Sequence, residues 1–197
     1  RGMRRLLPAR HPCAIRLRGG RIAAVTPIRS SKMGKPTVRE SVLRAVDMAR
    51  DEIVALTQAL IRVPTVNPPG DAYEPCARLL GDTLAGMGFE VEYFSATGRP
   101  EHSATHPRVN VVGRRRGRVD RPCVHLNGHL DVVPVGTGWT CDPFGGEVRD
   151  GRIYGRGASD MKAGIAAAVF AAECIRRAGV ELEGTVEISG TADEESG

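Results

Sequence analysis

Strand-like and helix-like periods are interleaved along this chain, and that alternation limits the possible folds more than any single motif does. Strand-like apolar runs fall at residues 89–94, 109–112, 123–127 and 185–191. Ahead of them, Val42, Val46, Ala49, Ile53, Leu56 and Leu60 recur at steps of four and three. That spacing predicts one amphipathic helix over about residues 38–62. Thr37 and Glu40 form a capping-box pair at its start, and Pro64, Pro68, Pro69 and Gly70 stop it. A second helix is predicted over residues 73–87, with Leu80, Leu84 and Met87 inward and Gly88 after it. A third covers the Ala-rich residues 160–178, closed by Arg176, Arg177 and Gly179. Residues 145–155, centred on Asp150-Gly151, read as a hairpin. The pattern predicts an α/β fold, a twisted mixed sheet flanked by helices and covered on both faces.

Charge is distributed unevenly. Of the 197 residues, 28 are Lys or Arg and 23 are Asp or Glu, for a net charge of +5. Residues 1–32 carry nine basic side chains and no acid; residues 33–197 carry 19 basic against 23 acidic, hence −4. The expected organisation is therefore a basic leader over residues 1–32, disordered or not native, and a folded domain over residues 33–197. A nucleic-acid partner is suggested by the total alone and loses its basis once the leader is set apart. The run Arg114-Arg115-Arg116-Gly117-Arg118 has no interleaved aromatic residue, so it is expected to be a solvated hairpin tip and not a phosphate site. No apolar run approaches the ~18 residues of a membrane span. The five cysteines, Cys13, Cys76, Cys123, Cys141 and Cys174, form no CxxC pair, which points to a reducing, cytoplasmic compartment.

Three polar clusters share a topological position. Gly128-His129-Leu130-Asp131 follows one strand, Gly155-Arg156-Gly157-Ala158-Ser159-Asp160 leads into a helix, and Asp193-Glu194-Glu195 follows another strand. Ligand sites in α/β sheets gather at the carboxyl ends of strands and at helix N-termini, so the three are expected to meet. His129 and Asp131, two apart, point the same way from extended backbone. One ring nitrogen can then bind a metal while the other donates to the carboxylate. Three adjacent acids repel one another unless cations neutralise them. Taken singly, each cluster has a plain reading: a surface histidine, an N-cap aspartate, a solvated loop. The order of all three, with eight glycines within residues 128–157, argues for one site. His125 is read as structural, and His102 and His106 as solvated.

Those motifs, extended to Val132-Val133-Pro134 and Met161-Lys162 and joined by Pro64-Thr65-Val66-Asn67-Pro68-Pro69-Gly70, resemble the acetylornithine deacetylase, succinyl-diaminopimelate desuccinylase and carboxypeptidase G family. The resemblance covers about residues 38–197. It implies the zinc-peptidase-like catalytic domain, truncated, of a metallopeptidase or amidohydrolase with two Zn2+ per subunit, Co2+ or Mn2+ being alternatives. It makes His129 a ligand of one metal, Asp160 the carboxylate bridging both, and Glu195 a ligand of the second. Glu194 becomes the general acid/base and Asp131 the group that orients His129. It further implies a small-molecule N-acyl amino acid or peptide substrate, and a homodimer formed through an inserted domain. An additional acidic ligand and a late histidine are expected after Gly197, so the 197 residues alone are expected to bind zinc weakly and turn over slowly or not at all. Deacylation is the leading expectation. Dipeptidase or carboxypeptidase activity of the same family, or a non-catalytic fragment, are the alternatives.

Overall fold

The computed structural model describes residues 14–16 and 35–196. The basic leader expected over residues 1–32 lies outside the described residues except for strand β1, Ala14–Arg16. The capping box forms as its residue types dictate: the Thr37 N–H donates to the Glu40 carboxylate at 2.9 Å, and the Glu40 N–H to Thr37 Oγ1 at 3.3 Å. It starts α1, Val38–Met48. The single helix expected over residues 38–62 is in fact two, because the chain turns at Ala49 before α2, Arg50–Ile61. Ala49 leaves helical backbone (φ −84°, ψ 2°), and its N–H is shared between the carbonyls of Ala45 and Val46. The break lets α2 bury Leu56, Leu60 and Ile61 while Leu43 and Met48 of α1 stay exposed. Helix α3, Tyr73–Gly86, follows and buries Cys76, Ala77, Leu80 and Leu84.

The remaining strands are β2, Glu90–Ala96; β3, Arg108–Arg115; β4, Cys123–His129; β5, Glu147–Arg149; β6, Arg152–Tyr154; and β7, Thr185–Thr191. Helix α4, Ala163–Arg177, connects the β5–β6 hairpin to β7. Asp150 and Gly151 both take positive φ (52° and 70°), as a two-residue hairpin turn between right-twisted strands requires. This hairpin pairs with β1 in a small sheet of order β1-β6-β5. The main sheet is mixed, order β2-β3-β7-β4, with only β4 and β7 parallel.

Register places Val111, Gly113, Ile188, Gly190, Leu126 and Gly128 on one face, and α3 and α4 lie against it. Gly128 and Gly190 are neighbours across β4 and β7. A Cβ on Gly128 would meet Ile165 at 2.6 Å, and one on Gly190 would meet Leu80 and Leu130 at 2.8 Å. The missing side chains are what allow the helices to lie this close to the sheet. The opposite face carries Glu92, Phe94, Arg114, Glu187, His125 and Asn127. No helix covers it among the described residues, so the cover expected on both faces is present on one. Strand β4 pairs only with β7 and is an edge strand of the described sheet, exposed at Cys123, Val124 and His125. His125 plays the structural part expected of it, its Nε2 lying 2.8 Å from Ser189 Oγ. Among the described residues no helix is long and apolar enough to cross a membrane.

The arginine run is not a hairpin tip, because β3 pairs with β2 and β7 and not with β4. It crosses the start of β7, where Arg118 and Val119 donate to the carbonyls of Leu182 and Glu183. Its charges are answered within the chain. Arg114 pairs with Glu187 at 2.6 Å, Arg116 with Asp120 at 3.0 Å, and Arg118 with Glu183 at 3.4 Å. Arg115 is largely buried over the Phe89 ring, donates to the Met87 carbonyl and faces Glu173.

Candidate metal centre

Parallel pairing brings two strand ends together. His129 of β4 stands opposite Thr191 of β7, and the Leu130 N–H donates to the Thr191 carbonyl at 2.7 Å. The turn after β4 is held from the other side by the segment that follows α2. Thr65 Oγ1 donates to the Leu130 carbonyl at 2.6 Å, and the N–H of Val132 donates to the Thr65 carbonyl. His129 and Asp131 are consequently buried, at 5% and 0% exposure. His129 Nδ1 lies 3.0 Å from the Asp131 backbone carbonyl and 3.6 Å from its Oδ1. The backbone oxygen is thus the nearer acceptor, with the carboxylate behind it. That oxygen, Oδ1, is buried with no hydrogen-bond partner of its own.

Asp160 reaches the same histidine from the segment ahead of α4. It does not stand at the N-terminus of the helix expected over residues 160–178, nor does it cap one. Its backbone is extended (φ −129°, ψ 100°), the Asp160–Met161 peptide is cis, and α4 starts at Ala163. Gly157 sets up this irregular stretch with φ 80°, and a Cβ there would meet Val132 at 2.6 Å. Lys162 closes the stretch. It is fully buried, its N–H donates to the Gly157 carbonyl, and its Nζ donates to the carbonyls of Leu60 and Val63 at 2.9 and 2.7 Å. Burial pushes its pKa down to about 8. The result aims Asp160 Oδ1 at His129 Nε2, 3.0 Å away, while most of the carboxylate stays open to solvent.

The acidic turn completes the cluster. Glu195 donates its backbone N–H to Asp131 Oδ2 at 2.9 Å, and Glu194 Oε2 lies 3.9 Å from His129 Nε2. One ring nitrogen of His129 and one carboxylate oxygen each from Asp160 and Glu195 all lie within 4.8 Å of one another. Tetrahedral ligands at zinc bond lengths stand about 3.4 Å apart, so these groups need only draw in slightly around an ion. The donor set, one imidazole and two carboxylates, suits zinc or another divalent transition metal. Asp131 behind the imidazole is the orienting partner such a site needs.

The electrostatics agree with that reading. The Asp131 carboxylate first, against burial, and then Asp160 hold the His129 pKa up at about 9. Burial works against the charge of Asp131, but His129 and the N–H groups of Glu195 and Glu194 outweigh it and keep its pKa low. Burial and the surrounding acids push Glu195 up, with His129 opposing. Several carboxylates around one imidazole leave the cluster short of positive charge.

Asp193, the first acid of the triplet, does not join the cluster. Its carboxylate turns toward Arg108 Nε (3.1 and 3.2 Å), Tyr73 OH (3.0 Å) and Asn67 Nδ2 (3.3 Å), with His102 Nε2 at 3.6 Å. His102 is therefore largely buried and not solvated, while His106 faces Asp71 at 3.3 Å. Arg108 and Tyr73 carried no local motif, and Asn67 stood in the Pro64–Gly70 segment with no role assigned to it. The one available signal was a lone arginine opening an apolar strand.

Residues 125–197 match the model described as Peptidase family M20/M25/M40. This stretch is part of a peptidase family M20 domain. The succinyl-diaminopimelate desuccinylase of Methylobacterium nodulans is 43% identical over 148 residues, 72% of this chain and 34% of the relative. The protein of the same name from Methylobacterium radiotolerans is 37% identical over 75% of this chain and 36% of the relative. The chain thus spans about a third of the length of these curated relatives. Among solved structures, human carnosine dipeptidase 1 is 25% identical with a TM-score of 0.69, over 83% of this chain and 36% of that one. The di-peptidase Dug1p of Saccharomyces cerevisiae, at 20% identity and a TM-score of 0.72 over 82% and 36% of the two chains, shares the fold.

Proposed function

We propose that this chain forms one side of a zinc-dependent amidohydrolase site that removes an acyl group from an N-acyl amino acid, of the desuccinylase or deacetylase type. The observation that carries the proposal is the convergence of His129, Asp160 and Glu195, with Asp131 behind the imidazole and Glu194 beside it. The 43% identity to a succinyl-diaminopimelate desuccinylase supports the substrate class.

In this reading His129, Asp160 and Glu195 would hold the metal, with Asp160 the carboxylate that the family resemblance makes common to two zinc ions. Bound metal supplies Lewis acidity, which lowers the pKa of water and polarises an amide carbonyl. Glu194, mostly exposed and 3.9 Å from the His129 ring, takes a proton from the attacking water and delivers it to the leaving amine. Asp131 fixes the ring of His129 through the Nδ1 side and leaves Nε2 for the metal. The small-molecule substrate and a homodimer belong to the same proposal through the resemblance, and a cytoplasmic site of action through the cysteine pattern.

A dipeptidase reading is favoured by one observation, the fold and 25% identity shared with human carnosine dipeptidase 1. Release of succinate or acetate from N-acyl amino acids by the intact protein, assayed beside dipeptide cleavage with added zinc, separates the two. Dipeptide cleavage with no acyl release overturns the deacylase assignment. Zinc affinity unchanged in His129→Ala overturns the metal assignment.

A further inference from the structure

We infer that Asp193 and Arg108, with Tyr73 and Asn67, form a clamp that positions the acidic turn beneath the metal centre, Asp193 acting as a positioning residue and not as a ligand. The inference rests on the zinc reading above for its purpose, but not for its geometry.

Asp193 has φ 65°, a left-handed conformation that crowds any residue with a Cβ. Something outside the turn must hold it there. Its carboxylate is turned away from His129 and receives donors from separate parts of the chain: Asn67 after α2, Tyr73 at the start of α3, and Arg108 at the start of β3. Arg108 is 2% exposed and also donates from Nη1 to the His106 carbonyl at 2.7 Å. A guanidinium buried this far requires a counter-charge, and Asp193 is the carboxylate that meets it.

The turn is tied on either side of Asp193 as well. The Ala192 N–H donates to Asn110 Oδ1 at 2.9 Å, and the Glu195 N–H donates to Asp131 Oδ2 at 2.9 Å. Asn67 Nδ2 also donates to Ser196 Oγ at 2.5 Å. Between these ties the peptide plane of Asp193 decides which way Glu194 and Glu195 project. With Asp193 swung out of its left-handed conformation, the Glu195 N–H leaves Asp131, and the two glutamates no longer face His129 together. Asparagine at this position would satisfy the left-handed backbone equally well. The carboxylate is needed for a different reason, which is to answer Arg108.

The test is amide hydrogen exchange read at single residues, together with zinc titration of the same proteins. Asp193→Asn keeps the shape and the backbone preference and removes the charge. Tyr73→Phe removes one neutral donor and leaves the buried ion pair intact. The expected result for Asp193→Asn is exchange of the Glu195 amide at least about tenfold faster, with the Ile188 amide inside β7 unchanged. Zinc affinity falls about 10- to 100-fold in the same variant, as when the partners behind metal ligands are lost. Tyr73→Phe moves both readings in the same direction by less. Glu195 exchange as in the wild type in both variants overturns the clamp. So does equal acceleration at Glu195 and Ile188 in Asp193→Asn with no effect of Tyr73→Phe, because that marks a general loss of stability. Should His129→Ala bind zinc as tightly as the wild type, the metal reading falls, while the Glu195 amide still decides the clamp.

Discussion

The backbone N–H of Glu195 and the carboxylate of Asp131, 64 residues apart in sequence, are joined by a hydrogen bond of 2.9 Å. One oxygen of Asp131 therefore steadies the acidic turn while the other stands behind the imidazole of His129. A single buried carboxylate couples two of the three ligand-bearing turns.

Replacing it tests that coupling. Asp131→Asn keeps the volume and removes the charge that holds the His129 ring. Zinc affinity, measured by competition with a chelator, is expected to fall about 10- to 100-fold. An unchanged affinity would show that the backbone carbonyl of Asp131 orients the ring unaided.

Glu194→Gln alters proton transfer and leaves the ligand set alone. In the intact protein, of which this chain is a part, metal content is expected to stay at the wild-type level while turnover drops by about 10²- to 10⁴-fold. Metal analysis beside a rate assay checks it. Loss of metal together with rate would make Glu194 a ligand.

Gly157→Ala should be costly twice over. A Cβ at φ 80° is crowded by its own backbone and would stand 2.6 Å from Val132. A loss of about 2 kcal/mol in a denaturant titration is expected, accompanied by weaker zinc binding as Asp160 shifts.

Glu173 supplies a dependence on pH. Arg176 first, against burial, and then Arg177 hold its pKa down at about 2, from an ordinary value of 4.5. Because the folded pKa is depressed, the stabilisation is complete above about pH 4.5 and is lost as pH falls toward 2. Both arginines are partly solvated, so screening trims the contribution to on the order of 2 kcal/mol. Glu173→Gln should lower stability by that amount at neutral pH, with the gap to the wild type closing between pH 4.5 and 2. A gap that persists at the acid end would assign the effect to packing.

Much of this architecture was legible residue by residue. Residues 185–191 were read to their true limits because a central strand must bury alternate apolar side chains. The same alternation in β4, Val124 and Leu126 against His125 and Asn127, held a sign of one-sided cover that the apolar content obscured. Ala49 hid a helix break because alanine is a strong helix former and the break serves packing elsewhere. Asp160 imitated an N-cap because the letters of a cap and of a ligand arm are the same there. The joint role of Arg108, Tyr73 and Asn67 was out of reach for another reason. Their common partner, Asp193, is 85, 120 and 126 residues away, and only the folded chain brings them to it.

Parallel pairing of β4 with β7 has a consequence in time. His129 and Glu195 leave the sheet at the same end only after the chain has run through the β5–β6 hairpin and α4 and come back alongside β4. No local segment holds the centre's three ligands, so metal capture has to follow the long-range pairing of β4 with β7. A metal signal that appears during refolding would thus time the closure of that crossover.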